Sequence, residues 1–301
     1  MLSNIGNEGQ KKLSLSHVLI VGAGGLAAPV TQYLSGAGIG NISIIDGDKI
    51  SLDNLHRQTL FKENDIGRFK VDVLKEYILS HNSNLKVKCY SFFSNSNNIK
   101  LISEKIDVII DCADNFATTY FLSDFCLKNN ICFITASVSS LSGYVGVFCK
   151  NSPSIRAVFP DLPKNNITCN TEGVLGTAVG LVGSLQAQLV IFYLLDIKKI
   201  FGQLYILDLE NFRLSNFNFL GALEPKKNLQ FLSKEDIRND DFVFDLRTEN
   251  EAENLISKNA LRISLDHFNT NHKFLFEKNK RVIFCCKTGF RAWKAAKKLE
   301  K

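Results

Sequence analysis

Eight cysteines are present but no C-x-x-C pair, so the usual ligand spacing of a structural zinc site is missing and no zinc is expected. No apolar run of membrane-spanning length is apparent, and Met1-Leu2-Ser3-Asn4 has no signal-peptide character. These absences predict a soluble, cytoplasmic protein with no membrane partner. There is no internal repeat, and the one biased stretch is the Asn- and Ser-rich segment at residues 95–98. No nucleic-acid-binding motif is present, which argues against nucleic acid as a partner although the net charge is +6. That charge is uneven: 17 of the 36 Lys and Arg, but only 12 of the 30 Asp and Glu, fall from Leu223 onward. A basic C-terminal part suits an acidic protein partner.

What is there begins with length and core. The 301 residues are 45% hydrophobic, enough for one large or two modest packed domains. Strand patterns at 17–21, 41–45, 86–90, 107–111 and 131–136 alternate with helix patterns at 26–36, 70–81 and 117–129. This is the βαβ signature of a Rossmann-like α/β fold: a mixed, mostly parallel sheet with helices on both faces. Further strands are expected at 144–149, 203–208 and 211–217, around a long apolar, glycine-rich helix at 173–195. Residues 221–228 read as a linker, dividing the chain into 1–222 and 223–301. Beyond it lie strands at 242–245 and 281–285 and a helix at 292–299.

The chemistry concentrates between Val18 and Lys70. The strand Val18-Leu19-Ile20-Val21 runs into Gly22-Ala23-Gly24-Gly25-Leu26-Ala27 and then a helix. Such a turn brings backbone N–H groups to phosphate oxygens at the positive end of a helix dipole. Asp46 closes the next strand, 24 residues after Gly22, where a carboxylate can bond ribose hydroxyls. Alone, this half of the pattern fits equally an NAD-binding domain or a turn that serves only packing. Asn54, Arg57, Gln58 and Lys70 follow, and Asp111-Cys112-Ala113-Asp114-Asn115 ends the fourth strand. Two cations and a carboxylate on the ligand-binding edge of such a sheet suit magnesium-triphosphate chemistry. The plainer alternatives are solvated charges at Arg57 and Lys70 and a helix cap at Asp114.

Val21-Gly22-Ala23-Gly24-Gly25-Leu26, Asp46-x-Asp48, Asn54-Leu55-x-Arg57-Gln58, Lys70 and Asp111-Cys112-x-Asp114-Asn115 resemble the MoeB/ThiF (HesA) adenylyltransferases of the ubiquitin-activating-enzyme superfamily, over residues 5–217. The resemblance implies that Gly22, Gly24 and Gly25 line the ATP phosphates and that Asp46 binds ribose. Asp48, Asn54, Arg57, Gln58, Lys70 and Asn115 join the nucleotide set, and Asp114 is the essential carboxylate associated with Mg2+. It further implies a homodimer and attack by the C-terminal glycine carboxylate of a ubiquitin-like sulfur-carrier protein (ThiS/MoaD type) on the α-phosphate of ATP. The product would serve molybdopterin or thiamin biosynthesis. A non-catalytic carrier-binding paralogue and a tRNA-modifying adenylating enzyme of the same superfamily are the alternatives.

Two cysteines bear on sulfur. Cys169 precedes the long helix, where the resembling family has a crossover-loop Cys that in some members links covalently to the carrier. Cys286 lies in Cys286-Lys287-Thr288-Gly289-Phe290-Arg291, a loop between a strand and a helix that can curl N–H groups around a thiolate or persulfide. With Val243-Phe244-Asp245-Leu246-Arg247 it resembles a short rhodanese-like unit, active or kept only for docking. The expected sulfur donor is a cysteine desulfurase. The stretches at 153–157 and 219–222 lack the paired cysteines that bind zinc in many relatives. The N-terminal segment lacks the Arg that relatives send across the dimer to the ATP phosphates, a role open to Lys11, Lys12 or another cation.

Overall fold

The computed structural model describes residues 5–102, 105–149, 152–162, 173–271 and 280–300. Its main sheet has eight strands: β1 (His17–Val21), β2 (Asn41–Ile45), β3 (Lys86–Tyr90), β4 (Val108–Asp111), β5 (Cys132–Ser139), β6 (Ser142–Phe148), β7 (Gln203–Asp208) and β8 (Arg213–Asn218). The spatial order is β3-β2-β1-β4-β5-β6-β7-β8, parallel from β3 to β5 and antiparallel beyond. The helices are α1 (Gly6–Leu15), α2 (Ala27–Gly36), α3 (Lys70–His81), α4 (Phe116–Asn129), the single turn α5 (Ile155–Val158) and α6 (Gly176–Leu194). The expected mixed, mostly parallel α/β sheet is what forms.

Both faces of the sheet are covered, which is why its central strands read as unbroken apolar runs rather than alternating ones. Val18 and Ile20 of β1 face one core, with α2, α3 and α6; Leu19 and Val21 face the other, with α4. The register sets Val21 level with both Ile45 and Asp111. The residues that follow those three strands therefore emerge at one edge, and the site is built there.

The helix α6 corrects one expectation. At 19 residues and mean hydropathy 1.6 it does reach membrane-spanning length. Its buried face, including Val179, Val182 and Val190, nevertheless packs into the sheet core. Its glycines serve close packing: a Cβ on Gly183 would lie 2.4 Å from the Pro29 ring of α2.

The chain after residue 222 forms a three-stranded parallel sheet, β10-β9-β11, from β9 (Phe242–Asp245), β10 (Ala260–Arg262) and β11 (Val282–Cys285), with α7 (Leu265–Asn271) and α8 (Phe290–Leu299). It has its own small core around Phe244, Leu246 and Phe268. It also leans on the larger unit. Trp293 of α8 is buried against Tyr120 of α4 and stacks on Phe231, with ring centroids 5.6 and 5.8 Å apart.

Candidate active site

One cavity of about 320 Å³ opens at the strand edge, lined by the glycine turn, Asp46, Asp48, Asn54, Arg57, Gln58, Lys70, Asp114 and Asn115. The turn is as tight as its sequence requires. Gly22 has φ +95, and a Cβ there would lie 2.6 Å from the Cys112 carbonyl, a conformation and a contact that only glycine tolerates. A Cβ on Gly25 would lie 2.7 Å from Val179 and 3.1 Å from the Arg57 carbonyl. In front of Gly24 only the Gln58 amide comes near, at 3.9 Å, so the backbone there faces open cavity. No side chain caps α2, but its first turn has few free donors: Ala28 N donates to the Gly25 carbonyl at 3.3 Å and Pro29 has no N–H.

Asp46 is fastened to this turn. Its carboxylate accepts from the N–H groups of Ala23 and Asp48, both at 2.6 Å. Burial pushes its carboxyl up, an effect partly offset by Lys70 and by those two donors. Each oxygen keeps a second lone pair for a hydroxyl donor.

The cationic side comes from the β2–α3 connection. Lys70, the first residue of α3, is 5% exposed, and its Nζ donates to Asp48 Oδ2 at 2.9 Å. Arg57 is half-buried and donates to the Asp53 carbonyl at 3.2 Å. Gln58 is buried; its Nε2 donates to Asn54 Oδ1 at 2.7 Å, while its Oε1 has no partner. A buried acceptor without a donor costs free energy until something supplies one, so this atom is suited to a ligand's N–H or O–H.

The third wall is the end of β4. The cap of α4 is Asn115, whose side chain accepts from Thr118 N at 2.9 Å. Asp114 is therefore not the cap, and its side chain stands exposed at the cavity edge. Beneath it lies a polar network that the sequence reading missed. Asp111 is fully buried and accepts from Thr119 and Thr135 hydroxyls at 2.7 and 2.8 Å and from Ala113 N at 3.1 Å. Gln186 of α6 donates to the carbonyls of Asp111 and Ile134 at 2.8 and 3.1 Å, locking the ends of two neighbouring strands. A glutamine inside an apolar helix was the available signal, since it must find partners when buried. Lys11 and Lys12 are exposed on α1 and do not line this cavity.

A model described as the ThiF family matches residues 1–229. The chain belongs to the ThiF family. Proteins named adenylyltransferase and sulfurtransferase MOCS3 are similar to it. The Culex quinquefasciatus protein is 40% identical over 190 residues, 62% of this chain and 43% of that protein. The Anopheles gambiae protein is 36% identical over 231 residues, 75% of this chain and 52% of that protein. The ThiF-family chain thus spans about half the length of these curated relatives. In fold it is similar to E. coli MccB crystallised with MccA-N7isoASN, at TM-score 0.64 and 24% identity over 72% of this chain and 68% of that one.

Of the sulfur candidates in this ThiF-family chain, Cys169 lies outside the described residues. Cys286 follows β11. Its Sγ accepts from Ala292 N at 3.4 Å, and Gly289, with φ +81, turns the loop into α8. Arg291 Nη2 donates to both Glu251 carboxylate oxygens, at 2.6 and 2.8 Å. The neighbouring Cys285 is half-buried, and burial pushes its thiol up to about 11. Gly289 also touches the first unit: a Cβ there would lie 2.7 Å from Ala117 Cβ. In the first cysteine-free stretch the Ser154 N–H and hydroxyl both donate to Glu224, two residues past the second, the latter at 2.7 Å. Among the described residues no group of three or more His, Cys, Asp or Glu could hold a metal.

Proposed function

We propose that this chain uses Mg-ATP to adenylylate the C-terminal glycine of a ubiquitin-like sulfur carrier of the ThiS or MoaD kind, and that Cys286 then delivers sulfur to the activated carboxyl. The observation that carries this reading is the convergence, at one sheet edge, of a tight glycine turn, two cations and a forward-placed carboxylate. A dinucleotide oxidoreductase needs only the glycine turn and Asp46. The names of the MOCS3 relatives support the same reading.

In this mechanism the carrier carboxylate attacks the α-phosphorus and pyrophosphate leaves. Arg57 and Lys70 offset the charge of two anions brought together. Asp48 orients Lys70 at the cavity wall. Mg2+ arriving with ATP would shield the phosphates, and a single carboxylate plus phosphate oxygens is a fitting ligand set; Asp114 is that carboxylate. A persulfide on Cys286, charged by a cysteine desulfurase, then attacks the acyl carbon and AMP leaves, giving an acyl disulfide. The Cys169 thiolate attacks Cys286 Sγ, which breaks the S–S bond and releases the carrier thiocarboxylate, and an external dithiol reduces the Cys169–Cys286 disulfide that remains. Residues 1–222 form the adenylylating domain and 223–301 the rhodanese-like one. A homodimer, a cytoplasmic location and a role in molybdopterin or thiamin biosynthesis complete the proposal.

The test is ATP–pyrophosphate exchange by the full chain with a ThiS/MoaD-like protein. Asp114→Ala should lower exchange by about a hundredfold or more. Cys286→Ala should spare exchange and abolish thiocarboxylate formation. Nucleotide binding without exchange, whatever carrier is supplied, would identify a carrier-binding paralogue instead.

A further inference from the structure

Phe93 has no part in the chemistry above, yet it lines the cavity while 67% exposed. Exposure alone says little, since Phe212 is 92% exposed; what sets Phe93 apart is that its ring lines the cavity. Its position is specific. The ring lies over Gly47, where a Cβ would come within 2.9 Å of it. Gly47 directly follows Asp46, and Asp46 N donates to the Tyr90 carbonyl at the end of β3 at 3.1 Å. The ring thus flanks Asp46 on the side of β3. The glycine turn flanks it on the side of β1.

The segment carrying Phe93 is also built to stay put. Asn98 Nδ2 donates to the Phe93 carbonyl at 2.7 Å, and Asn98 Oδ1 accepts from Asn95 N at 2.7 Å. Asn95 Oδ1 in turn accepts from the N–H groups of Asn97 and Asn98, both at 2.9 Å. Ser96 Oγ donates to Asp236 at 2.9 Å, tying the turn to the C-terminal unit. The Asn- and Ser-rich stretch is therefore an ordered support rather than a loose linker.

We propose that Phe93 is the stacking platform for the base of the bound nucleotide, so that the base is selected here and not by the groups around the phosphates. This rests on the nucleotide reading of the cavity. In any nucleotide the ribose separates phosphates from base. With ribose hydroxyls on Asp46 and phosphates on the glycine turn and Lys70, the base falls on the Phe93 side. A purine covers more of the ring than a pyrimidine and stacks more strongly.

The test compares Mg-ATP with tripolyphosphate, which has no base, by calorimetric titration of the full chain. Phe93→Ala should weaken ATP binding roughly tenfold or more, the scale of one base–aromatic stack, and leave tripolyphosphate within about twofold of wild type. Phe93→Trp should hold ATP within about threefold of wild type. Lys70→Ala should weaken both ligands. Because Phe93 is exposed, its replacement does not threaten the fold. Wild-type affinity for ATP in Phe93→Ala, or equal loss of both ligands, overturns the platform and leaves the nucleotide reading standing. Wild type binding tripolyphosphate as well as it binds ATP also overturns it. Binding of neither ligand by wild type overturns the nucleotide reading, and the platform with it.

Discussion

Replacing Asp124 should loosen the C-terminal unit from the larger one. Arg156 is 2% exposed, and its Nε and Nη2 donate to the two Asp124 oxygens at 2.7 and 2.8 Å. Nη2 also reaches the Leu229 carbonyl at 3.0 Å, and the Tyr120, Trp293 and Phe231 rings lie 5.0, 5.6 and 5.8 Å from its central carbon. Asp124→Ala leaves this cation buried with one carbonyl and three rings. Losing one partner of a fully buried pair costs ~3–5 kcal/mol. The Asp124 side chain is 39% exposed, so solvent screens part of that interaction, and the rings hold some of the charge. The expected cost is about 2–3 kcal/mol. Arg156→Met combined with Asp124→Leu removes both charges and should cost less than Asp124→Ala alone. The chain supplies its own probe, because its sole tryptophan is Trp293, in contact with this clamp. In urea, the Trp293 fluorescence transition of Asp124→Ala should move to lower denaturant and separate from the circular-dichroism transition of the main sheet. A loss under about 1 kcal/mol, with both transitions at their wild-type midpoints, would refute the clamp.

Gly22→Ala should cost at least about 2 kcal/mol and abolish ATP binding, since it forces both an unfavourable φ and a carbonyl clash; thermal unfolding and calorimetry read the two effects. Asp111 gives a pH signature. Its carboxyl is pushed up from 3.8 to about 6, chiefly by burial, so the folded state holds this proton to higher pH than the unfolded state. The contribution of Asp111 to stability therefore falls as pH rises through that interval, and compared with Asp111→Asn the wild type should lose roughly 2 kcal/mol between about pH 4 and 7. Urea midpoints of the two proteins at both pH values check the sign; a wild type that gains on Asp111→Asn with rising pH refutes it.

The parts of this molecule legible from sequence are those where one physical demand dominates. Strands buried on both faces must be apolar throughout, so β1, β2 and β4 could be read directly. A tight turn and a carboxylate one strand later must keep their spacing, so the convergence of Gly22 and Asp46 on one edge could be read as well. Other features have no such local signature. The first helix opens on Gly6 and is largely polar, and β10 has three residues; both exist because neighbours pack on them. Asn115 takes the cap that Asp114 was equally able to take, because backbone geometry decides between adjacent Asx residues. Phe93 is the second of two adjacent phenylalanines before a polar stretch; Phe92 packs against a core while Phe93 stands at the cavity, a difference that only three-dimensional placement shows.

The helix α4 joins the cavity to the Cys286 loop. Its cap and first turn supply Asn115, Phe116 and Thr118 to the cavity. Between the last two, Ala117 bears on Gly289, three residues beyond Cys286. Seven residues further along, about 10 Å at helical rise, Asp124 grips Arg156, which also holds the Leu229 carbonyl beside Trp293. The C-terminal unit thus meets α4 at Ala117, at Tyr120 and, through Arg156, at Asp124, and a helix held at three places cannot tilt without moving them. Glycine at 289 is demanded twice over, by φ +81 and by the Ala117 contact. A side chain there would lift the Cys286 loop from the turn next to Asp114 while leaving the glycine turn, Asp46 and Lys70 where they are. The docking of the Cys286 loop is therefore separable from the cavity, since Ala117 and Gly289 carry it and neither lines that cavity.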